Sequence, residues 1–412
     1  MMKRRVVITG MGAVSPIGST ADEMWQSARA GVCGIDFIKS FDTAQHKVKV
    51  AGELKGFDIT DHMDKMAARR TARFTQLALV AARAAMAQSG LDMSCEDAER
   101  CGVNISSGIG GLPTIEEEHY KGMKRGFDKV SPLFVPMAIT NMAAGMAAIE
   151  FGFKGSCTCV VTACASATNA IGEAFRQIRD GYADVFLTGG SESCISELGI
   201  GGFTSMKALS ESCDPIRASI PFDKERNGFV MGEGAGVLLL EEHEHAVSRG
   251  AEIFGEIAGY GASCDANHMT APLEDGSGAA ACMKAALADA GITPEQVVYI
   301  NAHGTSTPMN DKCENRAVKS AFGDAASSLL MSSTKSMTGH LLGASGAVEA
   351  ILTVYALKEQ FAPPTVGYQV PDPECDLDVV ANVGKAMTGD YAMSNSLGFG
   401  GHNGSILFRR VK

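Results

Sequence analysis

Two segments of this chain, residues 162–174 and 338–350, resemble each other and constrain the fold more than any other sequence feature. The matched positions include a threonine, a glutamate and an alanine common to both segments, and Cys164 aligns with His340. Each segment follows a short strand-like run and opens a helix built from small residues. We therefore expect a duplicated fold, with Cys164 and His340 at equivalent helix starts in its two halves.

The pattern of apolar residues predicts an α/β fold. Apolar runs rich in β-branched residues alternate with alanine-rich stretches of helical character, as expected when helices cover both faces of a sheet. No Gly/Ser-rich linker interrupts the chain, so we expect the halves to pack intimately. The predicted strands are residues 6–9, 102–105, 185–188, 237–240 and 298–301, and the predicted helices are residues 74–88 and 278–290.

Charge and hydropathy narrow the functional class. The net charge of −11 argues against a nucleic-acid-binding protein. No apolar run approaches the roughly 20 residues that a membrane helix needs, and no secretory signal opens the chain. The twelve cysteines form no dense disulfide framework, so we expect free thiols and a cytoplasmic protein. The spacing of Cys157, Cys159 and Cys164 fits no standard zinc site.

Cys164 is the strongest candidate nucleophile. It lies between a strand-like run and a helix start, where free backbone N–H groups and the helix dipole favour a thiolate. The alternative is a small buried apolar side chain, as most free cysteines are. For the other eleven cysteines we adopt that alternative.

Two histidines extend the candidate site. His303 follows a strand-like segment in Asn-Ala-His-Gly-Thr-Ser-Thr, and His340 lies in a turn rich in Gly, Ser and Thr. Catalytic groups of α/β proteins commonly lie where a strand ends and a turn or helix begins. Their shared context favours a site over two isolated structural histidines.

The glycine-rich segment 398–404 predicts a loop whose backbone approaches a ligand or flexes. It lacks the Lys-Ser/Thr ending of a P-loop, and the chain carries no complete G-x-G-x-x-G pattern. The chain also lacks the G-x-S-x-G nucleophile elbow. These absences argue against nucleotide binding and against the simplest serine hydrolase.

Taken together, these motifs resemble the β-ketoacyl-[acyl-carrier-protein] synthases, most closely the bacterial type II enzyme that elongates fatty acids. The resemblance spans essentially the whole chain. His402 and Leu397 depart from common family residues, which leaves the preferred acyl length open. The matching motifs are residues 162–166, 301–307, 334–340 and 395–401, supported by residues 221–229 and 233–236.

The resemblance implies a thiolase fold, in which duplicated halves form a five-layered αβαβα sandwich and two chains form a homodimer. It implies that residues 1–250 form the half with the nucleophilic cysteine. Residues 251–412 would form the half with the two histidines, the lysine and the glycine-rich gate loop. No cofactor is expected.

The family chemistry is a decarboxylative Claisen condensation, and the resemblance assigns its roles. Cys164 would take the acyl group from an acyl-carrier protein, and a malonyl-carrier protein would then supply the two-carbon carbanion. His303 and His340 would stabilise the charge on the malonyl thioester, with the proton-transfer role of each left open. Lys335 would support the histidines with Glu349 nearby, and Phe399 would act as gate and backbone donor.

The resemblance also implies binding residues, some with alternatives that remain open. Thr305 and Thr307 would bind the phosphopantetheine arm. Ile109 and Phe203 would line the acyl pocket, although their spacing alone fits plain core. Docking of the acidic carrier is expected on basic residues that could equally form a solvated helix face: Lys65, Arg69, Arg70, Arg73 and Lys207. A structural monovalent cation is expected near Asn301, Glu349, Ser394 and Asn395.

Three alternatives remain at this point. A ketosynthase of polyketide or specialised-lipid synthesis carries the same motifs. A non-catalytic partner of the chain-length-factor type would typically lack the nucleophile that Cys164 provides here. A degradative thiolase would place a second cysteine near the C-terminal glycine loop, where this chain has His402.

Overall fold

The structure, a computed structural model, describes residues 3–411. Its strands are β1 (Val6–Val14), β2 (Asp36–Phe37), β3 (Val50–Ala51), β4 (Cys101–Ser106), β5 (Cys157–Thr158), β6 (Val185–Glu192), β7 (Gly234–Glu242), β8 (Gly255–Cys264), β9 (Val297–Asn301), β10 (Leu330–Ser332), β11 (Phe361–Ala362), β12 (Lys385–Ala386), β13 (Tyr391–Gly398) and β14 (His402–Arg409). Its α-helices are α1 (Ala21–Arg29), α2 (Lys65–Ala68), α3 (Arg73–Ser89), α4 (Leu112–Arg125), α5 (Phe134–Ala138), α6 (Met142–Phe151), α7 (Ser166–Arg179), α8 (Glu197–Ser205), α9 (His243–Ser248), α10 (Ser277–Ala290), α11 (Pro308–Phe322), α12 (Lys335–Thr338) and α13 (Ser345–Glu359). All five predicted strands and both predicted helices lie within these elements.

Ten strands of the described residues are joined into one sheet. Its two halves, of five strands each, have the same topology. The two halves meet where β1 pairs with β8. Outward from that junction, the strands of one half lie in the order β1, β7, β6, β4, β5, and those of the other in the order β8, β14, β13, β9, β10. If the five strands of each half are numbered as they occur along the chain, both halves have the spatial order first, fifth, fourth, second, third. The duplication inferred from the internal repeat is therefore confirmed in the strand order.

The helices complete a five-layered arrangement. Helix α3 packs on the outer face of β1 and β7, and α10 packs on the outer face of β8 and β14. Helices α7 and α13 contact each other and strands from both five-stranded halves, so they form the central layer between the halves. Three apolar clusters fill the spaces between these layers. The predicted αβαβα sandwich is confirmed.

The structure shifts the register of the internal repeat by three residues. The left-handed turn residues that precede the two central helices are Ala163, at φ 51°, and Leu342, at φ 48°. One residue further along, Cys164 corresponds to Gly343. The prediction that Cys164 and His340 occupy equivalent positions is therefore wrong, because His340 lies before the turn. The small-residue helices allowed either alignment.

Within residues 3–411, every helix is too short or too polar to cross a lipid bilayer.

Candidate active site

The turn that carries Cys164 is held by a hydrogen bond from the following helix and by close packing against the end of β13. A short 3₁₀ turn, Ala163–Ala165, leads directly into α7, and the hydroxyl of Ser166 donates to the Ala163 carbonyl at 2.6 Å. A Cβ atom at Gly398 would lie 2.7 Å from the Thr162 carbonyl oxygen and 3.2 Å from the Cys164 nitrogen, so the end of β13 approaches the turn too closely for a larger residue. The fold thus presents Cys164 at the start of the central helix.

His340 is in direct contact with Cys164. Its Nε2 lies 3.0 Å from the Cys164 Sγ, and its Nδ1 lies 2.9 Å from the Ser345 Oγ. Backbone hydrogen bonds to Val230 and Gly232 hold the residue, with distances of 2.7 Å and 2.8 Å. The imidazole is therefore oriented through both ring nitrogens and through its own backbone.

His303 lies beside His340 at the end of β9. The two ring centroids are 5.3 Å apart, and the rings are nearly perpendicular at 86°. The Glu314 carboxylate accepts the backbone N–H of His303 at 2.8 Å and that of Gly304 at 2.7 Å. The buried Nδ1 of His303 has no hydrogen-bond partner among the described residues. The structure thus brings the three predicted reactive side chains together.

Lys335 and Glu349 form a buried ion pair behind the histidines. Both side chains are almost fully buried, and the Lys335 ammonium contacts the Glu349 carboxylate. A buried charge needs such a partner, because its desolvation is otherwise too costly. The pair also sets the local electrostatics: burial first, and then the Lys335 charge, hold the pKa values of His303 and His340 well below their usual range. Both imidazoles are neutral at neutral pH.

The expectation of a Cys164 thiolate in the resting protein is wrong. Burial raises the pKa of the Cys164 thiol to about 12, although Lys335 and the Phe399 backbone N–H oppose the rise. Desolvation of the sulfur outweighs the helix start, so a neutral thiol faces a neutral His340. A thiol in this state needs a proton acceptor to become a nucleophile, and the His340 Nε2 is in contact with it.

An open cavity of about 370 Å³ leads to these residues. Cys164, His303 and His340 lie on its wall. Other predicted residues on the wall are Phe203, Thr305, Thr307, Leu397, Phe399 and Lys207.

Two pairs in this wall have defined geometry. The hydroxyls of Thr305 and Thr307 lie 3.0 Å apart, so they present two polar groups side by side. The rings of Phe203 and Phe399 lie 6.4 Å apart. The cavity therefore combines a polar rim with an aromatic wall.

Ile109, predicted to line the same pocket, does not lie on the wall of this cavity. It packs instead, partly buried, in an apolar cluster that also contains Phe203, Phe229 and Leu342. The N–H groups of Gly108 and Ile109 in its loop donate hydrogen bonds to the buried Glu192.

The glycine-rich segment is tied to a second loop that sequence analysis did not identify. The Gly400 N–H donates to the Met269 carbonyl at 2.8 Å, and the Asp265 N–H donates to the Gly401 carbonyl at 2.9 Å. The Asn403 amide donates to the Asp265 carboxylate at 2.7 Å. The two glycines have φ angles of 82° and 74°, which other residues rarely adopt. The backbone that follows Phe399 is thus hydrogen-bonded to the loop that carries Asp265.

Three of the predicted carrier-docking residues, Lys65, Arg69 and Arg70, are exposed near α2. Lys207 is exposed at the cavity wall. Arg73 does not fit the prediction, because two of its guanidinium nitrogens bond to the Glu233 carboxylate, each at 2.8 Å. It is committed to an internal ion pair and is only partly exposed, so we remove it from the docking patch.

The four residues expected to hold a cation are partly brought together. Ser394 pairs with Asn301 across β13 and β9, and the Asn301 amide donates to the Glu349 carbonyl at 3.5 Å. The Glu349 Oε2 and the Ser394 Oγ are buried without hydrogen-bond partners among the described residues. Asn395 points elsewhere, because it bonds to Ser405 and Glu314. Residues 3–411 contain no cluster of three or more His, Cys, Asp or Glu side chains able to hold a metal ion.

Sequence analysis missed two residues that hold the histidines, Ser345 and Glu314. Ser345 follows His340 by five residues at a helix start, and Glu314 lies on α11, eleven residues after His303. The signal in the sequence was a polar residue in the helix that follows each histidine. Such residues are too common for this signal to select one of them.

Comparison with known families covers most of the chain. The family described as "Beta-ketoacyl synthase, N-terminal domain" matches residues 3–246, and "Beta-ketoacyl synthase, C-terminal domain" matches residues 254–369.

Among curated proteins, the chain is 52% identical over 409 residues to "3-oxoacyl-[acyl-carrier-protein] synthase 2" of Staphylococcus aureus (strain N315), covering 99% of each chain. It is 49% identical over 411 residues to the protein of the same name from Synechocystis sp., covering 100% of this chain and 99% of the relative.

Solved structures agree with this likeness. A beta-ketoacyl synthase from Burkholderia phymatum STM815 superposes with a TM-score of 0.91 at 35% identity, covering 99% of this chain and 100% of the other. A ketosynthase of a type II polyketide synthase, solved in complex with its acyl-carrier protein and bound to a hexaketide, superposes with a TM-score of 0.92 at 36% identity over 100% of both chains.

Proposed function

This chain belongs to the β-ketoacyl synthase family, and on that premise we propose that it is a 3-oxoacyl-[acyl-carrier-protein] synthase. It is a condensing acyltransferase that lengthens an acyl chain by two carbons, using malonyl-carrier protein as the donor. The observation that carries the proposal is the contact of the Cys164 Sγ with the His340 Nε2 at 3.0 Å, with His303 adjacent. The sequence identity of 52% and 49%, over nearly the full length, to two synthases of this name supports the same conclusion.

In the first half-reaction, Cys164 attacks the thioester of an acyl-carrier protein. His340 accepts the thiol proton at Nε2 and returns it to the departing carrier thiol, because the resting thiol is too weak an acid to lose it alone. The backbone N–H of Phe399 already points at the Cys164 sulfur. Together with the Cys164 N–H, it would hold the oxyanion of the tetrahedral intermediate.

In the second half-reaction, the malonyl thioester loses CO₂ and negative charge develops on its thioester oxygen. Neutral His303 and His340 are suited to donate hydrogen bonds to that oxygen. The enolate carbon then attacks the acyl-Cys164 carbonyl and forms the new carbon–carbon bond. The tetrahedral intermediate expels the Cys164 thiolate, which takes up a proton from solvent, and leaves the 3-oxoacyl product. The His303 side chain lies on the cavity wall, where a substrate can reach it.

Ser345 allows His340 to change roles between the two half-reactions. A hydroxyl can donate or accept, so the contact at 2.9 Å persists whether the His340 Nδ1 carries a proton or a lone pair. With the proton on Nδ1, Nε2 accepts from Cys164. With the proton on Nε2, it donates to the malonyl oxygen.

A monovalent cation would fit between β9, β13 and α13. Two buried oxygens there, the Glu349 Oε2 and the Ser394 Oγ, have no partner among the described residues, and oxygen ligands suit such an ion. Asn301 would complete the set. The cation would supply fixed positive charge beside the Lys335–Glu349 pair.

Carrier docking is proposed on Lys65, Arg69, Arg70 and Lys207. All four are exposed, and Lys207 lies at the cavity wall. Their positive charge suits an acidic partner, and complementary charge mainly raises the association rate. The charge reversal Arg69→Glu should raise the KM for acyl-carrier protein while acylation from a small-molecule thioester stays unchanged. Lys284→Glu, on exposed α10 of the other half, is the matched control. Equal carrier kinetics for both variants would refute the docking assignment.

The decisive experiment is intact-mass analysis after mixing with acyl-carrier protein and then malonyl-carrier protein. We expect an acyl adduct that Cys164→Ala abolishes and that malonyl-carrier protein converts into a 3-oxoacyl product. A protein that takes no adduct from donors of any length would contradict the proposal and favour a non-catalytic partner. Efficient use of polyketide-type donors with poor use of saturated acyl donors would instead favour a ketosynthase of polyketide synthesis, the class of one of the similar structures.

A further inference from the structure

A buried carboxylate outside the predicted site, Glu192, joins two segments that border the active site. It lies at the end of β6 with no solvent exposure. The Glu192 Oε2 accepts the backbone N–H of Gly108 at 2.7 Å and that of Gly343 at 3.1 Å. The Glu192 Oε1 accepts the Ser107 hydroxyl at 2.8 Å and the Ile109 N–H at 3.3 Å. Every one of these contacts is a donor, so the site suits a carboxylate and opposes an amide.

The close approach of the two segments depends on this arrangement. A Cβ atom on Gly343 would lie 2.2 Å from the Gly108 nitrogen and 2.9 Å from the Glu192 Oε2. A Cβ atom on Gly108 would lie 2.8 Å from the same oxygen. Two backbones can share one carboxylate oxygen here only because neither residue has a side chain.

Each segment lies next to residues of the cavity wall. The first carries Ile109, which packs with Phe203 and Phe229 in the apolar cluster beside the cavity. The second follows His340 by three residues and leads into the central helix. The carboxylate therefore sets the distance between the apolar cluster and the turn that holds the reacting histidine.

We propose that Glu192 is a positioning residue for acyl transfer, which fixes the Ile109 loop against the turn after His340 and so shapes the pocket for long acyl chains. The proposal rests on the proposed condensing function. Glu192 does not contact the reacting atoms, and it acts through the two segments that it joins.

The charge of Glu192 provides a readout that a merely structural role would not move. Burial is the main cause of the high pKa of the Cys164 thiol, Lys335 opposes it, and the Glu192 charge adds to it. Glu192→Gln removes the charge and nearly preserves the length of the side chain. Glu192→Asp preserves the charge but is one methylene shorter, so it cannot reach both segments.

The experiment measures two quantities in both variants, both at pH 8. The first is a ratio: the rate of Cys164 acylation by long-chain acyl-carrier protein divided by the rate with four-carbon acyl-carrier protein. This ratio should fall about tenfold or more in each variant, because the Ile109 loop is no longer held in position against the turn after His340. The second is the rate of Cys164 alkylation by iodoacetamide. It should rise about threefold or more in Glu192→Gln alone, since less negative charge favours the thiolate.

Glu241→Gln is the matched control, because Glu241 is equally buried, on the neighbouring strand β7, and bonds to Arg249 and His245 away from the site. It should leave the acyl-length ratio and the alkylation rate unchanged. Wild-type ratios and rates in both Glu192 variants would overturn the inference, as would equal losses in the Glu241 control. If Glu192→Gln fails to fold, the acyl-length ratio of Glu192→Asp decides. A wild-type protein that forms no acyl adduct would refute the condensing function, while the alkylation rates would still test the role of Glu192.

Discussion

Four titratable side chains surround Cys164, and their charges explain how a weakly acidic thiol can react. Lys335 and Glu349 form a buried pair in which burial raises the pKa of Glu349 to about 7, although Lys335 opposes the rise. His303 and His340 are kept neutral by burial and by the Lys335 ammonium, which lower their pKa values. A neutral His340 can accept a proton from Cys164, and an imidazolium could not. The ion pair thus stabilises the buried lysine and also keeps both histidines usable.

The neutral histidines give a prediction for pH dependence. An ordinary histidine becomes protonated as the pH falls through about 6.5, but His303 and His340 have depressed pKa values and should stay neutral. In ¹⁵N-histidine NMR spectra recorded from pH 8 to 5.5, their ring signals should remain at neutral-imidazole positions. A midpoint near 6.5 for either active-site ring would contradict the electrostatic account.

The Lys335–Glu349 pair gives a prediction for stability. Lys335→Met should leave the buried Glu349 carboxylate without its ammonium partner and lower the free energy of unfolding by about 3–5 kcal/mol. The double variant Lys335→Met/Glu349→Gln removes both charges, so it should recover most of that loss while condensation remains impaired. Chemical unfolding and condensation assays measure the two effects. If the double variant were no more stable than the single one, the ion pair would not be the source of the loss.

At the scale of elements, the active site exists because α7 and α13 meet back to back in the central layer. Their contact is close: a Cβ atom on Gly346 would lie 2.0 Å from the Thr168 Oγ1. Each helix is preceded by a left-handed turn, one carrying Cys164 and the other following His340. The separation between these helices therefore determines the contact between the sulfur and the imidazole.

Gly346→Ala tests this helix contact. The added methyl group should force the central helices apart, lower the free energy of unfolding by about 1–3 kcal/mol and slow acylation of Cys164. Gly201→Ala is the matched control, because Gly201 is helical with open space around its Cα, and an alanine there should be neutral or slightly stabilising. Thermal unfolding and acylation rates report both effects. Equal stability of the two variants would show that the helices tolerate the methyl group.

The sequence predicted those parts of the fold and site that lie in contiguous patterns. The strands, the helices and the motifs around Cys164, His303 and His340 are each contained in a short run of residues. Glu192 and Glu314 escaped prediction because each acts on backbone N–H groups of another segment, and topology alone makes those contacts. The thiol pKa escaped for a related reason, since burial depends on the whole fold.

At the scale of the molecule, the strand order shows how one half repeats the other. The two five-stranded sides meet at β1 and β8, and the two family matches meet between residues 246 and 254. We propose on this basis that the halves divide as predicted, into residues 1–250 and 251–412. The nucleophile then comes from one half and both histidines come from the other, so neither half holds a complete site.

The outer edge of the first half indicates how two chains would associate. β5 ends the ten-stranded sheet, and its residues Cys157 and Thr158 are exposed. An open strand edge favours pairing with another strand. Helices α4 to α6 and the short turn between α4 and α5, which lie nearby in the chain, expose large apolar side chains: Tyr120, Met123, Phe127, Val135 and Ile149. We propose that this surface forms the homodimer interface.

Val135→Glu tests the interface in the full-length protein. Val135 is 59% exposed in the single chain, so a charge there should cost little within one protomer but should be buried against the partner in a dimer. Light scattering should show the wild type as a dimer and the variant shifted towards monomer, with an unchanged circular dichroism spectrum. Val247→Glu, at a residue 52% exposed on α9, is the matched control and should remain dimeric. Because the apolar surface lies in the half that carries Cys164, loss of the dimer should also lower acylation, and a fully active monomer would separate assembly from catalysis.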